Sequence, residues 1–124
     1  MKCRVVWSRD RVQEVDSPAD LEALLQIATD SEREEKPRLV SVDLPDGTSL
    51  AVGLGRRESV LNFVSASADP PYFTSRGNDA RDDKVVHFFY QDAWTEFPVK
   101  NLIPLSQARE AVRLFARDGQ RLSL

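Results

Sequence analysis

A chain of 124 residues, 41 % of them hydrophobic, is long enough to bury one ordinary core, and its scattered Trp, Phe and β-branched residues exclude wholesale disorder. With 17 basic and 20 acidic residues the net charge is −3, which argues against a chain that grips nucleic acid through its phosphates. One cysteine, Cys3, and one histidine, His87, exclude a disulfide framework and a thiolate metal cage, and leave a zinc site short of ligands.

In chain order, residues 2–8 alternate as a half-buried strand, with Cys3, Val5 and Trp7 on one face. Val12 and Val15 continue it after a turn near Asp10. A helix start follows: Ser17 can cap, Pro18 suits the first helical position, and Asp20 puts a carboxylate in the first turn. Leu21, Leu24, Leu25 and Ala28 recur at helical spacing, predicting a helix over residues 18–30. A charged stretch follows, and Pro37 closes it.

Residues 38–44 carry Val40, Val42 and Leu44 on one strand face, and residues 48–54 answer with Leu50, Val52 and Leu54. A two-residue Asp46-Gly47 loop would send Leu50 to the wrong face. A three-residue loop, Pro45-Asp46-Gly47, pairs Val42 with Leu50 and Val40 with Val52 and keeps the large apolar side chains together. It also places Pro and Asp in a type I turn and Gly47 at the left-handed position of a G1 bulge. Residues 59–65 are a further strand, with Val60 and Val64 on one face and Leu61 and Phe63 on the other, so both faces are expected to be covered.

Residues 66–84 have no periodicity, and so long a connection within a domain is usually functional or mobile. Residues 85–90 are a strongly apolar strand. Gln91-Asp92-Ala93 turns it, and residues 94–99 return, with Pro98 marking an edge or an end. A second helix is predicted over residues 106–118, burying Ala108, Ala111, Val112, Leu114 and Phe115, with Gly119 just past its end. No linker divides residues 1–124. The order predicts a single α+β domain: a mainly antiparallel meander sheet of five to six strands with two helices.

Little in this pattern carries chemistry. Catalysis of the Ser-His-Asp or Cys-His kind would have to run through His87, which sits mid-strand and reads as a packed or hydrogen-bonded side chain. Cys3 reads as a small buried hydrophobe. Gly53-Leu54-Gly55 lies between strands with no Lys-Ser/Thr after it, so it is not a phosphate loop. Asp79, Asp82 and Asp83 lack the spaced oxygen series of a calcium loop and have basic neighbours in Arg76, Arg81 and Lys84. No metal or other cofactor is expected. No apolar run reaches the roughly 18 residues of a membrane span. Arg9 and Arg11 interrupt any secretory core, so the expected address is a reducing cytoplasm.

Several landmarks follow one another in a familiar order. Gly53 to Leu61 is followed by Pro70-Pro71-Tyr72-Phe73-Thr74-Ser75-Arg76-Gly77. Then come Phe88-Phe89-Tyr90, Thr95-Glu96-Phe97-Pro98, Leu102-Ile103-Pro104, and Ala108-Arg109-Glu110-Ala111 with Phe115 and Gly119. Over residues 38–120 the chain resembles the Imm family of bacterial immunity proteins, encoded beside polymorphic toxins of the deaminase superfamily. The resemblance implies a non-enzymatic inhibitor that binds a cognate toxin, a deaminase acting on nucleic-acid bases through a zinc-bound water. The acidic balance of the chain suits a partner with a basic nucleic-acid cleft. Read from its residues alone, the chain could instead be an adaptor for another protein, or a small enzyme using Asp and Tyr groups of residues 66–84.

Two stretches combine aromatic and acidic side chains and are the expected partner surface. One is the long connection with Tyr72, Phe73, Asp79, Asp82 and Asp83. The other is the hairpin with Asp92, Trp94 and Glu96, where alternation puts Trp94 and Glu96 on one face. The competing expectation is that Trp94 packs into the core.

Overall fold

A computed structural model of the chain describes residues 2–8, 11–31, 37–55, 57–64, 73–75, 77, 84–90 and 93–118. In chain order the elements are β1 (Cys3–Ser8), β2 (Arg11–Val15), α1 (Pro18–Ser31), β3 (Arg38–Asp43), β4 (Ser49–Leu54), β5 (Glu58–Ser59), β6 (Leu61–Val64), β7 (Phe73–Thr74), β8 (Val85–Tyr90), β9 (Ala93–Pro98), a 3-10 turn (Val99–Asn101), β10 (Ile103–Pro104) and α2 (Leu105–Asp118). The α+β architecture with two helices and a mostly antiparallel sheet is the one expected. Among the described residues the main sheet has eight strands rather than five to six, because β2 folds back on β1 as a strand of its own and β7 adds a two-residue pairing.

The strand order is β2-β1-β3-β4-β6-β7. β3 divides one of its edges between two hairpins. β1 pairs antiparallel with it from Ser41 to Asp43, while β8 pairs parallel at Arg38, opposite Phe89. The β8–β9 hairpin thus extends the sheet beside one end of β3, held there by the Phe89 N–H donating to the Pro37 carbonyl at 2.7 Å. β5 and β10 form a separate two-stranded pair.

The β3–β4 turn takes the three-residue form that side-chain parity demands. Val42 faces Leu50 and Val40 faces Val52. The Gly47 N–H donates to the Leu44 carbonyl at 3.0 Å, and Gly47 has φ 94°, a left-handed conformation open to glycine at no cost. The Asp46 carboxylate accepts the Thr48 N–H at 2.8 Å, and this bond holds its pKa below the usual carboxylate value. A depressed carboxylate pKa stabilises the fold at higher pH, and the contribution is lost as pH falls through the folded-state value. Asp46→Asn should therefore flatten the acid limb of a melting-temperature profile below about pH 4, checked by calorimetry across that range. An unchanged acid limb would count against this role for Asp46.

α1 starts as its sequence requires. The Ser17 hydroxyl accepts the Asp20 N–H at 3.2 Å, and Leu21, Leu24 and Leu25 are buried. α2 buries Ala108, Ala111, Val112, Phe115 and Ala116. These five sit at i, i+3, i+4, i+7 and i+8; Leu114 lies at the margin of that stripe and is only partly buried, with Ala116 in its place. Arg109 and Arg113 of α2 reach Glu22 of α1, at 3.0 and 3.3 Å, tying the helices together at the surface. In β2, Val15 is buried but Val12 is 51 % exposed, because residues three apart on a strand face opposite ways.

Apolar side chains collect on both sides of the sheet. Under the helices lie Val5, Val40, Val42, Leu50, Val52, Leu54 and Leu61, packed on Leu21, Leu25, Val112 and Phe115. On the opposite side Leu39, Val60, Phe88, Val99 and Leu102 form a second cluster. Val60 and Leu61, adjacent in sequence, are fully buried in different clusters, so this stretch is covered on both faces as its pattern implies.

Part of the 66–84 connection is built into the sheet. β7 pairs with β6, and Ser75 follows it, fully buried. The Ser75 hydroxyl accepts the Leu61 N–H at 3.0 Å and donates to the Asn101 carbonyl at 2.7 Å. The Asn101 side chain returns a bond to the Ser75 carbonyl at 2.8 Å. Two residues on, the Gly77 N–H donates to Lys100 at 2.7 Å, so close that a Cβ on Gly77 would lie 1.7 Å from the Leu102 carbonyl oxygen. Ser75→Ala would strand a buried donor and a buried acceptor, and should cost about 1–3 kcal/mol of stability by urea unfolding. A loss under about 0.5 kcal/mol would show that the hydroxyl is dispensable.

Candidate functional site

The β8–β9 hairpin has two unlike faces. Its register pairs Val86 with Phe97, Phe88 with Thr95 and Tyr90 with Ala93 on one side, and Val85 with Pro98, His87 with Glu96 and Phe89 with Trp94 on the other. The first side faces the second cluster, where Phe88 is fully buried and Phe97 meets it edge-on at 6.2 Å. Phe88 lies against Gly53 of β4, where a Cβ would stand 2.5 Å from the ring. That close approach locks the hairpin and turns its other side outward.

The outward side bears the chemistry. Trp94 is 50 % exposed and Val85 44 %. The Trp94 ring meets Phe89 at 5.3 Å and His87 at 6.5 Å between centroids, both nearly perpendicular. His87 Nε2 lies 3.6 Å from the Glu96 carboxylate, with both side chains about half exposed or more. Beneath this layer the Arg38 guanidinium sits 5.2 Å from the Phe89 centroid. The result is an aromatic strip edged by one carboxylate, held rigid by strand pairing and open to solvent.

Among the residues expected at a partner surface, Trp94 and Glu96 do share one exposed face, and the core expectation for Trp94 does not hold. Only the backbone of Phe73 is described, in β7, and Tyr72, Asp79, Asp82, Asp83 and Asp92 lie outside the described residues. His87, Phe89 and Val85 join the strip, a grouping that strand alternation alone does not assemble. The missing signal was the turn length. A turn over Gln91, Asp92 and Ala93 would set Trp94 opposite Tyr90. The structure pairs Tyr90 with Ala93, leaving residues 91 and 92 between them, and this sets Trp94 opposite Phe89. One residue of register decides which aromatics meet.

Elsewhere the described residues offer little for catalysis. A cleft of about 320 Å³ is lined by Lys2, Cys3, Arg4, Glu14, Asp43, Leu44 and Pro45. Burial pushes the Cys3 thiol up from its ordinary value, so it stays protonated and unreactive. Arg4 and Glu14 pair across β1 and β2 at 3.2 Å. No group of three or more His, Cys, Asp or Glu side chains among the described residues could hold a metal ion. No helix among them is long and apolar enough to cross a membrane.

Compared with known proteins, the chain matches the family model described as immunity protein Imm1 over residues 9–122. No curated protein matches it.

Proposed function

The chain belongs to the Imm1 family of immunity proteins, and from that premise we propose that it binds a cognate bacterial toxin in the cytoplasm and blocks it, the toxin being a nucleic-acid deaminase domain. The observation that carries this reading is the outward strip of the β8–β9 hairpin. A half-exposed Trp94, braced by Phe89 and His87 and bordered by Glu96, has the composition of a binding hot spot. Large rigid aromatics on a locked strand pair lose little freedom on binding, which favours tight capture.

Blocking a toxin needs no chemistry of the inhibitor's own, only a surface that occludes the toxin's cleft. The deaminase target is supported by the sequence resemblance and by the charge of −3, which suits a cleft built for nucleic acid. We place the contact on Asp92, Trp94 and Glu96 of the hairpin together with Tyr72, Phe73, Asp79, Asp82 and Asp83 of the connection that precedes β8. The test is co-expression with the toxin domain encoded beside the chain's gene, followed by a base-deamination assay on single- and double-stranded substrates. Survival of the cells, a stable complex and loss of deamination are the expected results. A toxin that stays active under excess of the chain would sink the immunity reading. A toxin that is neutralised but cleaves rather than deaminates would sink the choice of target. Stable capture of a partner that is not a toxin would favour an adaptor.

A further inference from the structure

Trp94 and Glu96 lie two residues apart on β9, so their side chains project the same way. Trp94 is 50 % exposed and the Glu96 side chain 63 %, its carboxylate 3.6 Å from His87 Nε2. Phe89 and His87 meet the indole nearly perpendicular and fix its orientation. An exposed π-face with a carboxylate alongside is a receptor for a cation, since the ring quadrupole and the carboxylate charge attract the same group. The flat guanidinium of arginine satisfies both at once: it stacks on the ring while its N–H fork donates to the carboxylate. A lysine ammonium is compact and more strongly hydrated, and fits this shape less well. The fold already sets one guanidinium against an aromatic ring of this strip, with the Arg38 carbon 5.2 Å from the Phe89 centroid. Among the described residues no guanidinium lies over Trp94, one strand away.

Resting on the immunity reading above, we propose that the Trp94–Glu96 pair is the seat for an arginine side chain of the toxin, drawn from the basic surface with which the toxin holds its nucleic acid. Occupying that arginine would do two things together. It would anchor the complex, and it would remove a phosphate-binding group from the toxin.

The test uses the full chain and the neighbouring toxin domain in a catalytically inactive form. Affinity is measured for wild type, Trp94→Leu and Glu96→Gln against the wild-type toxin and a panel of toxin Arg→Ala variants. Trp94→Leu keeps an apolar side chain but loses the π-face, and Glu96→Gln keeps the shape but loses the charge. Each should weaken binding by about 10-fold or more. One toxin Arg→Ala should cost a similar factor, with no further loss when combined with either variant, and Arg→Lys at that position should not restore it. If wild type binds while both variants stay within about threefold of it, or if their losses add to those of every toxin arginine, the arginine seat is wrong and the immunity reading stands. If the wild-type chain does not bind the toxin at all, both fall. Self-association of the wild type that Trp94→Leu abolishes would place a second copy of the chain on this face and overturn the proposal.

Discussion

Phe88→Ala should cost about 3–5 kcal/mol of unfolding free energy, the usual price of emptying a fully buried aromatic site. Phe88 fills the centre of the second cluster, between Leu39, Val60, Val99 and Leu102, and has Gly53 directly beneath its ring. Gly53→Ala alone should cost about 1–3 kcal/mol, because the new methyl meets the Phe88 ring at 2.5 and 2.7 Å and the ring must shift. The two losses should not add. With the ring gone the methyl has room, so Phe88→Ala/Gly53→Ala should be less destabilised than the sum of the single variants. Urea unfolding of the four proteins checks this, and additive losses would mean that Phe88 does not rest on Gly53. The cycle also bears on the site, because this contact turns the other side of the hairpin outward.

Trp94→Ala should do the reverse, costing at least about 2 kcal/mol of toxin affinity but only about 1–2 kcal/mol of stability, from its edge contacts with Phe89 and His87. Phe88 and Trp94 stand on the same hairpin in different partner strands, and side-chain parity alone assigns one to the core and one to solvent. Calorimetric melting with toxin titration on Trp94→Ala separates the two roles. A large loss of stability with unchanged affinity would return Trp94 to the core and move the interface elsewhere. The acidic residues of the proposed contact should behave differently again. Replacing Asp82 and Asp83 together by lysine should mainly slow association and raise its salt sensitivity, since charge complementarity speeds encounter more than it holds a complex.

Local features of the sequence were sufficient for much of the fold. The Ser17 cap, the leucine spacing of α1 and the apolar stripe of α2 are written in short windows, because a helix repeats within its own backbone. The β3–β4 loop was equally readable, since only a three-residue turn keeps Val40, Val42, Leu50 and Val52 on one face and Gly47 supplies the left-handed residue. The single cysteine likewise needed no structure to rule out a disulfide framework within the chain. Membership of a family rests on landmarks spread across the chain, and these too are properties of sequence order.

What the tertiary structure alone decided was pairing between distant segments. Nothing near Ser75 announces that its hydroxyl bridges Leu61 and Asn101, because both partners are brought to it by strands that fold from elsewhere. β3 gives half an edge to β1 and half to β8, a division that no periodicity encodes. The outward strip is the sharpest case. Trp94 and Glu96 were visible as neighbours on one strand, but Phe89 and His87 joined them only through the register of the hairpin, and a strand's period of two lets one residue of turn length exchange the buried face for the exposed one.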